Sequence, residues 1–108
     1  MQLKQLQFFV VSVDMGSFKA AADVLYTSQP HISKTIKALE EELNMSLLNR
    51  QATGVVMTEE GRKVYEYANR ILRNVEMISN LQEENQLEKF SISSNPSYKL
   101  TKIYAGFY

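Results

Sequence analysis

At 108 residues and 12.4 kDa, the chain has room for one small domain with an appendage, and for only a modest core. It contains no Cys and a single His, which excludes a disulfide framework, a thiolate metal centre and a histidine metal site within one chain, so no cofactor is expected. Lys and Arg number 12 against 12 Asp and Glu, so an anionic partner has to be met by local surfaces. Two acid-free stretches offer them: residues 28–39, with His31, Lys34 and Lys37, and residues 49–57, with Arg50. The N-terminal residues lack the basic flank and long apolar core of a signal peptide, and nowhere do about 18 apolar residues run together. A cytoplasmic protein without membrane contact is expected. Catalysis is disfavoured by the lone His31, the lack of a phosphate-cradling glycine loop and the lack of an acid/base pair with a pocket to hold it.

In chain order, Leu3, Leu6, Val10 and Val13 recur at helical spacing beside Phe9, which predicts an amphipathic helix over residues 3–13. Gly16 stops it and Ser17 caps a second, short helix over residues 18–25. Ala20, Ala21 and Ala22 in that helix allow close approach of a neighbour. Tyr26, Thr27 and Ser28 form a turn, with Ser28 as cap and Pro30 in the first turn of a third helix over residues 29–43. Ile32, Ile36, Leu39 and Leu43 face its core side, and Asn44 is a left-handed terminator. Leu47 and Leu48, then residues 49–54, then the apolar Val55, Val56 and Met57 predict a small hairpin.

Thr58 caps a long helix with Glu59 and Glu60 at its positive end. Its stripe is Val64, Ala68, Ile71, Val75 and Ile78, widened by Leu72, Met77 and Leu81. Polar residues 82–86 are expected to fray it into a linker. Phe90 and Ile92 read as a short strand, and Pro96 as the start of a helix carrying Leu100, Ile103, Tyr104 and Phe107. The fold class is therefore mainly α, a winged helix-turn-helix with a small β-hairpin wing and a long C-terminal helix.

In a helix-turn-helix the second helix enters the major groove of DNA by its N-terminal residues, which makes Gln29, Pro30 and His31 the candidate base contacts. Gln29 is otherwise a first-turn polar residue and His31 solvated surface. Thr27, Ser28, Ser33, Lys34 and Lys37 suit phosphate and sugar contacts, against the plainer reading of solvated or capping residues. Arg50, at the base of the wing, suits a backbone contact, with a salt bridge to Glu40 as the alternative.

These elements and residues resemble the LysR-type transcriptional regulators, a large bacterial family. The resemblance rests on Leu6 and Phe9; on Gly16, Ser17, Phe18, Ala21, Ala22 and Leu25; and on Ser28, Gln29, Pro30, Ser33, Ile36, Leu39 and Glu40. It continues through Leu43, Leu47, Arg50, Thr58 and Gly61, and so covers residues 1–84, with a fainter likeness over 90–96. It implies a winged helix-turn-helix over residues 1–58, a linker and dimerisation helix over 59–86, and over 87–108 a poorly ordered remnant of an effector-binding domain built like a periplasmic binding protein. The resemblance implies that a small-molecule effector acts only on a longer form, of which this chain would be a fragment or truncated member. Four positions depart from the family pattern: Asn44 stands for a glycine, Leu48 for a phenylalanine, Thr53 for a second basic wing residue, and His31 for a small residue.

Length and resemblance together point to a homodimer. A helix of about 25 residues spans roughly 37 Å, more than a winged-helix core covers. The stripe of Val64, Ala68, Ile71, Leu72, Val75 and Ile78 is the expected interface, packing onto the helix's own domain being the alternative. Two-fold pairing implies a dyad-symmetric duplex site. In the tail, Ser93, Ser94 and Asn95 are expected either to form a capping turn or, as the resemblance suggests, to belong to an effector cleft. The apolar residues beyond them are expected to lack order or to pack on a neighbour, which would allow a higher oligomer. Rival functions are a winged-helix module that binds protein, and a small standalone repressor of another winged-helix family.

Overall fold

The computed structural model describes residues 1–51 and 54–90, with side chains described through Leu81. Four helices and one hairpin follow in the order α1 (Leu3–Met15), α2 (Phe18–Val24), α3 (Gln29–Leu43), β1 (Leu48–Gln51), β2 (Gly54–Met57) and α4 (Glu59–Phe90). The boundaries are set by local chemistry. Gly16 ends α1 in the left-handed region at φ 79°, its N–H donating to the Ser12 and Val13 carbonyls. The Ser17 hydroxyl accepts from the Ala20 N–H at 3.1 Å to start α2, and the Ser28 hydroxyl accepts from the His31 N–H at 3.2 Å to start α3. Tyr26, at φ 52°, turns the chain between the two helices, and Asn44 ends α3 at φ 53°.

The expected amphipathic character of the first helix is replaced by near-complete burial. Residues 6–12 are all buried, including Gln7 and Ser12, whereas Leu3 is exposed and Val13 only partly covered. The cause is position: α1 is the central helix, packed against α2, α3, α4 and β2, so it has no solvent face over those two turns. Ala21, Leu25, Ile32, Ile36, Leu39 and Leu47 pack around it in the core.

The strands pair antiparallel, with Leu48 opposite Met57 and Gln51 opposite Gly54. Asn49, Arg50 and Gln51, within the expected hairpin, belong to β1, an exposed strand whose ladder is supplied by β2. Glu40 of α3 fixes the start of this strand: its carboxylate accepts from the N–H groups of Leu47 (2.7 Å) and Leu48 (3.3 Å). The other end is tied to the helix-turn-helix, because the Val55 N–H donates to the Gly16 carbonyl at 3.1 Å. Gly54 makes that approach possible: a Cβ there would lie 2.3 Å from the Gly16 oxygen, and its φ is 150°. Residues 52 and 53, and with them the wing position of Thr53, lie outside the described residues.

Thr58 caps α4 as expected, its hydroxyl accepting from the Gly61 N–H at 2.9 Å while donating to the Ser46 carbonyl at 2.5 Å. The helix then passes along α1. Two of the expected interface residues belong to the chain's own core instead: Ala68 is 0% and Leu72 5% exposed, and Val64 and Ile71 pack against the same cluster. Helical periodicity is the same for burial against α1 as for burial against a second chain, so the stripe divides by distance along the helix. Its free part begins beyond Leu72, with Met77, Ile78 and Leu81 each about 60–70% exposed and Val75 half-buried. Helix α4 also continues to Phe90, through the residues expected to fray and through the first residue of the expected strand. Ile92, residues 93–95 and the helix expected from Pro96 lie outside the described residues.

Tyr65 locks α4 to α1. Its ring meets Phe9 edge-on, centroids 6.4 Å apart, and its hydroxyl donates to the Asp14 carboxylate at 2.5 Å. That bond holds the phenol above its ordinary value, a side-chain bond with Asn69 opposing it, and burial and the Asp14 charge adding to the rise. The neutral phenol is the favoured form in the fold, so its contribution is complete below about pH 10 and is lost as pH climbs through the raised value. The thermal midpoint of the unmodified chain should fall more steeply above pH 10 than that of Tyr65→Phe. Parallel pH profiles would show that this bond does not hold the two helices.

Candidate nucleic-acid interface

The first half of α3, residues 29–37, carries the lysines of that helix and no acid, whereas Glu40, Glu41 and Glu42 crowd its other end. Around this half of the helix the fold gathers side chains from three elements. Gln29, Pro30 and His31 occupy the first three helical positions and all are exposed. With about 100° per residue, Pro30 and Lys34 point directly outward from the core face of Ile32, Ile36 and Leu39. Gln29, Ser33 and Lys37 then lean toward the wing, and His31 leans toward α1. Lys34 and Lys37 are exposed, and Ser33 is half-buried.

Arg50 bridges wing and helix. Its guanidinium lies over the Phe18 ring, 5.0 Å from the centroid, and donates to the Ser33 hydroxyl. The salt bridge considered between Arg50 and Glu40 is not made, because Glu40 is committed to the backbone of β1. Arg50 is thereby held at the helix rather than free on the wing, and Ser33 acts as its anchor. Ser28 accepts from the His31 N–H, which leaves its hydroxyl proton available to donate. Thr27 is half-buried, its N–H donating to the Ala22 carbonyl at 3.0 Å. The ring of His31 is set by an edge contact with Phe8, centroids 5.5 Å apart and planes at 84°.

Sequence reasoning missed three residues. Lys19, in the first turn of α2, and Gln51, at the end of β1, join Gln29 and Arg50 in lining an open cleft of about 350 Å³ between α2, α3 and the wing. Lys4, from α1, lies over the Phe8 ring that His31 also meets, its Nζ 5.4 Å from the ring centroid. Only Lys19 had a local signal, a cation two residues after the Ser17 cap. The other two depend on how strand and helix cross α3. Among the described residues, no helix is long and apolar enough to cross a membrane.

Comparison with known proteins matches this architecture. The family model described as bacterial regulatory helix-turn-helix protein, lysR family, matches residues 3–62. The HTH-type transcriptional regulator BenM of Acinetobacter baylyi is 42% identical over 90 residues, covering 82% of this chain and 30% of BenM. The nitrogen assimilation regulatory protein nac of Klebsiella aerogenes is 43% identical over 76 residues, covering 70% of this chain and 25% of the relative. The chain thus spans at most 30% of the length of these two regulators. Among solved structures, a BenM DNA-binding domain in complex with benA site 1 DNA superposes with a TM-score of 0.72 at 40% identity, covering 78% of this chain and 98% of that one. A CbnR DNA-binding domain in complex with DNA gives a TM-score of 0.72 at 32% identity, covering 80% and 99%. In sequence and in fold, the chain belongs to the lysR family of bacterial regulatory helix-turn-helix proteins.

Proposed function

We propose that the chain binds double-stranded DNA sequence-specifically, as a homodimer, with the N-terminal half of α3 in the major groove. The observation that carries this is the convergence of exposed Gln29, Pro30 and His31 with Lys34, Lys37 and the anchored Arg50 on the acid-free first half of α3. The likeness to domains crystallised with DNA supports it. Gln29 can bond an adenine edge with both ends of its amide, and the cations and hydroxyls around it fix register on the phosphates. His31 reads a guanine acceptor or a phosphate when the facing nitrogen carries a proton. The positive end of the α3 dipole adds to the attraction.

Pairing is through the second half of α4. Met77, Ile78 and Leu81 are apolar, exposed and beyond the reach of the chain's own core, and with Asn74 and Asn80 they line a shallow groove. The occupant is a second copy, because a two-fold contact there sets two α3 helices on successive major grooves, about 34–36 Å apart, and requires a dyad-symmetric site. The function is transcriptional regulation in the cytoplasm, and response to a small-molecule effector belongs to a longer form of the protein. Gln29→Ala should cost about 1–3 kcal/mol on the preferred duplex and little on random duplex. Equal losses on the two, measured by fluorescence anisotropy, would remove the base-reading role.

A further inference from the structure

We infer that Lys4, on α1, is a second DNA-backbone clamp, the counterpart of Arg50 on the opposite flank of α3; this rests on the DNA-binding function proposed above. Two cations border the recognition turn, and each is held on an aromatic ring. Arg50 lies 5.0 Å from the Phe18 centroid and Lys4 Nζ lies 5.4 Å from the Phe8 centroid. His31 packs its ring edge on the same Phe8, and Phe8 is fully buried although Lys4 is only half-buried and His31 exposed. The lysine stem and the imidazole therefore share the cover of that ring and bring their polar ends to one surface.

Ser33, which anchors Arg50, and His31, which neighbours Lys4 across Phe8, are two residues apart on α3. Across the outward side they stand about 160° apart around the helix axis, with the outward-pointing Pro30 and Lys34 between them. The two cations consequently flank the turn that enters the groove, one on each side. A major groove about 12 Å wide is bordered by one phosphate backbone on either side, so each cation faces a different strand. A cation already held over a ring loses less side-chain freedom on meeting a phosphate. No carboxylate among the described residues is ion-paired with Lys4, and the acid on the same flank, Glu42, is paired with the Met1 ammonium.

The test is Lys4→Met, which keeps an apolar stem over Phe8 and removes only the charge. Affinity for a selected duplex and for random duplex is measured across a range of salt, with Lys34→Ala as the reference phosphate variant. Lys4→Met should retain the thermal midpoint and weaken both duplexes by the same factor, about three- to tenfold at low salt. It should also flatten the dependence of log K on log salt by about 0.9 for each protomer bound. An unchanged slope for Lys4→Met beside a flattened slope for Lys34→Ala would overturn the clamp and leave the DNA-binding function standing. A loss confined to the selected duplex would also overturn it, since Lys4 would then act through the placement of His31. If the unmodified chain bound DNA with no salt dependence, the DNA-binding function would fail first and the clamp with it.

Discussion

Glutamate at both Ile78 and Leu81 should leave the chain monomeric and weaken its binding to a dyad-symmetric duplex by at least about a hundredfold. Both side chains are more than half exposed and lie past the last α4 residue buried in the chain's own core, Leu72. The substitutions therefore remove a surface without opening the domain, and the thermal midpoint at low concentration should hold. The loss in affinity is large because two half-sites bound by one linked dimer act at high effective concentration, and a monomer has only one. Glutamate at Ile71 is expected to behave differently. It packs against the α1 core, so a charge there should unfold the domain rather than divide the dimer. Sedimentation with light scattering separates the two outcomes, and an intact dimer for the Ile78/Leu81 double variant would move the interface away from α4.

Gly61→Ala should lower stability by about 3 kcal/mol, or about 10–20 °C in Tm for a domain of this size. The added Cβ would fall 2.1 Å from the Leu47 carbonyl oxygen, and that oxygen also accepts from the Thr58 N–H at 3.0 Å. The clash is with backbone on both sides, so it is relieved only by moving α4 away from β1. That movement breaks the Thr58 cap and shifts the wing that carries Arg50. Gly16→Ala is the informative comparison: at φ 79° it bears the left-handed cost of about 1–2 kcal/mol, but its Cβ would meet nothing within 4 Å. A Gly61→Ala effect no larger than that of Gly16→Ala, by calorimetry, would mean that the α4 start is not pinned by this contact.

The parts of the fold legible in the sequence are those fixed by groups a few residues apart. Ser17, Ser28 and Thr58 as caps, with Gly16 and Asn44 as terminators, place helix ends within two residues because each cap bonds its own next turn. What was not legible depends on distant partners. β1 is polar and exposed, and it is a strand only because β2 returns beside it. The division of the α4 stripe at Leu72 reflects how far α4 runs along the folded core, which the stripe itself does not encode. Glu40 looked like a surface partner for Arg50, yet its carboxylate is spent on backbone N–H groups seven and eight residues onward. The base-reading candidates and Lys34 and Lys37 followed from position on a single helix. Lys4 and Gln51 required knowing which elements border α3.

Sequence-specific binding by a dimer is tested by selecting bound sequences from a random duplex library with purified protein at low salt, then measuring the winner's affinity across a salt series. A dyad-symmetric motif is expected. With Lys34, Lys37, Arg50 and Lys4 on phosphates in each protomer, log K should fall with log salt at a slope of about −7. A folded protein that enriches no motif and whose weak DNA binding is indifferent to salt would contradict sequence-specific binding through α3.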